Sequence, residues 1–125
     1  MVKKNLLYLP YQYTMKLDFD NPRHESLIND YDALARKYNK KGQNVADDIL
    51  AVVEVLRAAD TLFDVPRSYR PHPLKVEYRG CFAVDVTKKH RVIFKPNHDG
   101  DPSFRIDNYK TIISVVIIEI FKDYH

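Results

Sequence analysis

Residues 111–121 read TIISVVIIEIF. Almost every position is β-branched or apolar, and only Ser114 and Glu119 interrupt the run. It is too short to span a bilayer, which takes about 20 apolar residues. It is also too rich in valine and isoleucine to favour a helix. The run predicts a central strand covered on both faces. It leads directly into Lys122, Asp123, Tyr124 and His125. If the strand continues through them, Glu119, Phe121, Asp123 and His125 share one face, and Ile118, Ile120, Lys122 and Tyr124 share the other. An acid, a phenol and an imidazole would then be held by a buried strand instead of trailing off, as terminal residues usually do.

Upstream of this strand, PNHDGDPSFRIDN (96–108) is a long polar loop. Its NHDGD resembles the opening of a calcium loop, but the glycine is misplaced and no glutamate closes it, so it is a turn. YRGCFAVDVT (78–87) and HRVIF (90–94) are strands, and the two lysines between them make a tight connection. The segment VPRSYRPHP (65–73) has three prolines in nine residues and cannot be helical. It is a loop or a ragged edge strand.

Nearer the start, YQYTMKLDF (11–19) alternates strictly. Tyr11, Tyr13, Met15, Leu17 and Phe19 point to one side, as in a half-buried strand. Asn21 then caps a helix with Pro22 at its first position. That helix runs to about Tyr38, with Leu27, Ile28, Tyr31, Leu34, Ala35 and Tyr38 on its buried face. A turn at NKKGQ (39–43) precedes a second helix from about Asn44, whose buried stripe is Val45, Ile49, Val52, Val53 and Leu56. The fold class is α+β: an N-terminal strand, a helical hairpin, then antiparallel strands forming a small twisted sheet.

A chain of 125 residues with 45% hydrophobic and 30% charged residues is one ordinary globular domain, 1–125, with residues 1–10 as an extension. No segment is long and apolar enough for a membrane span, and Leu6 to Leu9 are too few for a secretory leader, so a cytoplasmic protein is expected. A single cysteine, Cys81, excludes an intrachain disulfide and a cysteine-rich metal site.

The net charge of +3 is unevenly spread. Residues 67–95 carry eight Lys/Arg against only Glu77 and Asp85. Four of the five histidines, His72, His90, His98 and His125, also fall in the second half. A basic, histidine-bearing half suits a polyanion, nucleic acid above all. The plainer alternative is a solvated basic edge. Zinc bound by these four histidines has no paired spacing to support it.

Three groups of residues carry chemistry. His72 and Lys75 in HPLK sit three apart in a largely apolar stretch. Arg91 shares a strand face with Ile93 and Lys95, where a guanidinium needs an anionic partner; Asp85 is the purely structural candidate. The third group is Asp123, Tyr124 and His125. Histidine, aspartate and cations of this kind suit RNA cleavage by its own 2′-hydroxyl, which needs a base, an acid and charge stabilisation at the phosphoryl oxygens.

HPLK, the R-G-x-x-x-V-x-V-T strand (here RGCFAVDVT), K-x-R-V-I-F (here KHRVIF) and the final DYH together resemble the HigB toxins. These are the plasmid maintenance killer branch of the RelE/ParE superfamily of type II toxin–antitoxin systems. The resemblance is specific over about residues 65–125. It implies a RelE-like fold and a ribosome-dependent endoribonuclease that needs no metal or cofactor and cuts mRNA in the ribosomal A site. It also implies a helix-turn-helix, HigA-like antitoxin as partner. By position, His72, Lys75, Arg91, Asp123, Tyr124 and His125 match the family's catalytic residues. Asp123 would orient a histidine base, Lys75 and Arg91 would stabilise charge, and Tyr124 would stack on or orient a base. Either histidine can be the base. Arg79, Lys88, Lys89 and Lys95 are the expected RNA contacts. A gyrase-inhibiting, ParE-like toxin and a non-toxic nucleic-acid-binding relative are the alternatives.

Overall fold

The computed structural model describes residues 15–124. The segment 1–10, the first part of the expected strand at 11–14, and His125 lie outside them. Strand β1 (Lys16–Phe19) keeps the expected alternation, with Met15 buried and Lys16 and Asp18 exposed. Asn21 caps α1 (Pro22–Ile28) by accepting a hydrogen bond from Arg23 N at 2.9 Å, with Pro22 in the first turn.

The expected single first helix is two. Asp30 turns its carboxylate onto Ala33 N at 3.1 Å and starts α2 (Tyr31–Tyr38) on a new axis. A capping aspartate thus competes with helix continuation and wins. The break turns Tyr31 outward, 42% exposed, although helical spacing had placed it on the buried face. Helix α3 (Val45–Ala58) buries Val45, Ala46, Ile49, Val52, Val53 and Leu56, the expected stripe plus one alanine. Asn39 at the end of α2 accepts from Ala46 N at 2.8 Å and so pins the start of α3 to the helix before it.

The strands are β2 (His72–Pro73), β3 (Phe82–Asp85), β4 (His90–Pro96) and β5 (Ser114–Asp123). They form one sheet in the order β1-β5-β4-β3-β2. The sheet is mixed instead of purely antiparallel, because β1 runs parallel to β5. The three helices and the strands β2 to β4 between β1 and β5 supply the long crossover that a parallel pair requires. Phe82, Val84, Val92, Phe94, Val115, Ile117 and Ile120 pack against the helices in one core.

Strand β5 is not equally covered on both faces. Val115 and Ile117 are buried, while Val116 and Ile118 are only partly so. The other face of the sheet is closed in its middle, where Ala83 and Ile93 are fully buried, and Tyr78 O–H reaches Glu119 at 3.4 Å. Cys81 lies just before β3 and not within it; burial pushes its thiol above the usual value.

The 96–108 loop is anchored by His98. Its Nε2 accepts from Ile113 N and Ser114 N at 3.1 and 3.2 Å, which fixes the proton on Nδ1, 3.4 Å from Asp101 Oδ2. Its ring stacks on Phe104 with centroids 4.8 Å apart. Gly100, at φ 78°, takes the left-handed position of the NHDGD turn.

Candidate active site

Two irregularities in β5 decide which side chains meet. Register moves from Phe94 opposite Ile117 to Ile93 opposite Glu119, and then to Arg91 opposite Lys122. Each step leaves an extra residue on β5, a bulge that breaks the two-residue period. The alternation expected from Ile118 onward therefore breaks at Glu119 and Ile120, and the second extra residue restores it from Phe121 to Tyr124. Glu119 pairs with Ile93 on the face away from the helices, whereas Phe121 and Asp123 turn toward the helices with His90. Lys122 and Tyr124 emerge beside Arg91 on the outer face.

The hairpin before β4 sets the second coordinate. The connection is three residues, Thr87 to Lys89, and not two, since Val86 N donates to His90 O at 2.9 Å. Asp85 thus lies directly opposite Arg91, and Arg91 opposite Lys122. Residues directly opposite in a sheet share a face.

On this outer face the structure gathers Arg70, His72, Asp85, Arg91 and Tyr124. The Arg91 guanidinium lies 4.6 Å from the centre of the Tyr124 ring. The Tyr124 hydroxyl donates to Asp85 Oδ1, and Arg70 Nε sits 3.3 Å from Asp85 Oδ2. Asp85 is therefore taken by other groups, and the structural pairing with Arg91 does not form. Arg91 has no carboxylate within ion-pair distance among the described residues, and its buried Nε has no hydrogen-bond partner. A second cation, Lys122, faces it across the strand pair, an arrangement that costs energy unless an anion sits between.

The His72 ring lies parallel to Tyr124, 6.4 Å away with a 5° tilt. Its Nδ1 is 2.6 Å from the Arg70 carbonyl. A carbonyl only accepts, so Nδ1 carries the proton and Nε2 of the neutral ring carries the lone pair. Burial, then the Asp85 hydrogen bond, raises the Tyr124 pKa above 10.0, and the phenol stays protonated at neutral pH.

Asp123 belongs to a different network. Its carboxylate lies 2.8 Å from His90 Nε2, on the helix side, and not beside His72. His90 Nδ1 lies 2.9 Å from Thr87 Oγ1, which also accepts from Lys89 N and His90 N. The hydroxyl therefore donates to Nδ1, and Nε2–H donates to Asp123. The His90 ring stacks on Phe121 at 3.8 Å, and Phe121 meets Tyr38 edge-on at 5.1 Å. Tyr124 N donates to Lys89 O at 3.0 Å, so the same hairpin holds both Asp123 and Tyr124.

Lys75 is exposed at the head of a 3₁₀ turn (Val76–Tyr78), with no ion-pair partner among the described residues. Two non-glycine residues with positive φ, Arg70 at 52° and Val76 at 59°, bracket the HPLK segment. For a β-branched residue this is a strained conformation, and Val76 is also 84% exposed. Arg79 and Lys95 line a groove with Cys81 and His98 at the far end of the outer face. Lys88 and Lys89 line another on the helix side.

Arg70 was not expected in the site, and its left-handed conformation before Pro71 has no clear sequence signal. Asp85 was legible only as a possible pairing for Arg91; its hydrogen bond to Tyr124 needed the bulges in β5. Among the described residues no group of three or more His, Cys, Asp or Glu side chains is gathered for a metal. No helix among them is long and apolar enough to cross a membrane.

No family model and no curated protein sequence matches the chain. Among solved structures, a chain of the YoeB-YefM complex from Staphylococcus aureus is similar, at 16% identity and a TM-score of 0.48. The match covers 89% of this chain and 97% of that one.

Proposed function

We propose that the outer face binds and cleaves single-stranded RNA, and that the chain is the toxin of a toxin–antitoxin pair, an mRNA endoribonuclease. The carrying observation is Arg91: a half-buried guanidinium with an unpartnered Nε, a second cation across the strand and an aromatic ring against its plane. A phosphodiester supplies the missing anion, and a planar guanidinium suits its oxygens. His72, with its lone pair on Nε2, is the base that takes the 2′-hydroxyl proton. The 2′-oxygen attacks phosphorus, the 5′-oxygen leaves with a proton from an acid, and a 2′,3′-cyclic phosphate and a 5′-hydroxyl remain.

Arg91 and Lys122 neutralise the charge growing on the phosphoryl oxygens. Tyr124, fixed by Asp85 and Arg91, offers its ring to a base. The likeness of HPLK and DYH to HigB toxins assigns Lys75 to charge stabilisation and His125 to acid–base work, with a HigA-like antitoxin as partner and ribosome-bound mRNA as substrate. Arg79 and Lys95 extend the cationic face, and Lys88 and Lys89 continue it past the hairpin turn.

The test is cleavage of mRNA by the full chain with and without translating ribosomes, mapped by primer extension. Wild type cuts, and Arg91→Ala and His72→Ala do not, while circular dichroism shows both variants folded. Intact RNA with wild type under both conditions, or normal cutting by both variants, overturns the reading.

A further inference from the structure

The helix side of the same hairpin carries a groove of about 680 Å³ that the cleavage reaction does not use. Lys40, Lys88 and Lys89 line it, with Asp48 the only acid among the described residues of its walls. None of the three lysines has an ion-pair partner among the described residues, although Asp47 and Asp48 lie in the first turn of α3 nearby. Aromatic rings, Tyr38, Phe121 and His90, make part of the wall, Tyr38 edge-on to Phe121 at 5.1 Å and Phe121 stacked on His90 at 3.8 Å. His90 cannot swing away, because Thr87 and Asp123 bond both of its nitrogens. Rigid rings beside unpaired cations are the combination that holds single-stranded nucleic acid: phosphates on the lysines and bases against the rings.

The groove and the cleavage face lie on opposite sides of the same hairpin, joined at its turn. His90 and Arg91 are successive residues of β4 and point to opposite sides of the sheet, and the Lys89 carbonyl holds the Tyr124 N–H. We infer that the RNA strand cut on the Arg91 face passes around the Thr87–Lys89 turn, and that its flank lies in this groove on Lys89, Lys88 and Lys40. This rests on the reading of the Arg91 face as an RNA site. It adds a second, non-catalytic subsite that makes affinity depend on substrate length.

Binding of two uncleavable 2′-O-methyl RNAs to the full chain tests it by fluorescence anisotropy over a salt series. One is a trinucleotide and the other about a dozen nucleotides long. Lys40→Glu, remote from the Arg91 face, is expected to weaken the longer RNA by on the order of tenfold and to lower its salt slope by about one. The trinucleotide should bind the variant as it binds wild type. Equal binding of the longer RNA to both proteins overturns the inference.

An acidic dodecapeptide that binds tighter than the RNA and depends on Lys40 also overturns it, in favour of a protein partner. Cleavage of unmodified RNA is read separately. No cleavage by wild type, together with Lys40-dependent binding, removes the ribonuclease reading and keeps the groove. Cleavage with Lys40-independent binding removes the groove alone.

Discussion

Two histidine–aromatic clusters flank the same hairpin, one on each face of the sheet, and they differ in what they leave unsatisfied. On the helix side, His90 bonds Thr87 and Asp123 and stacks on Phe121, with nothing free for a reaction. On the outer side, His72 bonds through one nitrogen only, and Arg91 Nε has no partner. A completed network serves stability, whereas an incomplete one is open to a ligand. Residue type alone would have ranked them alike, because each pairs a histidine with an aspartate, an aromatic ring and nearby cations.

Predictions that break or sharpen this contrast begin with Arg91. Arg91→Ala should cut the cleavage rate by about 10²–10³-fold, as removal of a charge-stabilising group in other enzymes does. It should leave the unfolding midpoint nearly unchanged, because no ion pair is lost. Arg91→Lys should not restore the rate, since an ammonium lacks the planar fork. A large loss of stability in Arg91→Ala, seen in denaturant titration, would mean the guanidinium is structural after all.

His90→Ala should do the reverse. Losing two hydrogen bonds and a ring stack, and leaving Asp123 unpaired, should lower stability by about 1–3 kcal/mol. Cleavage per folded molecule should fall much less than in Arg91→Ala. Should urea melts place His90→Ala level with wild type, the helix-side network is not a structural clamp.

Tyr124→Phe keeps the ring over Arg91 and removes the bond to Asp85. A cost of about 1 kcal/mol in stability is expected, with a modest activity loss, while Tyr124→Ala should lose more activity. Equal rates for the two variants would show that the ring itself has no role.

The smallest effect concerns alkaline pH. Burial raises the pKa of Tyr38, Tyr109 and Tyr124 above 10.0. A phenol with a raised pKa favours the fold fully below about pH 10 and ceases to do so as pH rises through its folded value. The thermal midpoint should therefore fall above about pH 10, and slightly less steeply in Tyr124→Phe. A flat midpoint across that range would contradict the burial of these hydroxyls.

What could be read from the sequence was whatever depends on a short, unbroken period. The α3 stripe and the alternation of Met15 to Phe19 are of this kind, and each came out on the expected residues. The readings that failed needed a count carried across an interruption. Asp30 restarted a helix that spacing had run through, and Tyr31 turned outward. A third residue in the hairpin turn moved Asp85 opposite Arg91. Parallel pairing of β1 with β5 has no local signature, because it is closed by the long crossover between them.

By itself, then, the sequence determined the order of strand, helices and hairpin, the core stripe of the longest helix, and a basic, histidine-rich half built around HPLK and Arg91. Only the tertiary structure decided that Asp123 serves His90 while Tyr124 serves Arg91. The physical reason lies in the bulges of β5. Two extra residues on β5 leave the faces of Phe121 to Tyr124 as alternation from Ile117 has them. They slide the strand two residues along β4, so that Lys122 and Asp123, not Ile120 and Phe121, lie opposite Arg91 and His90.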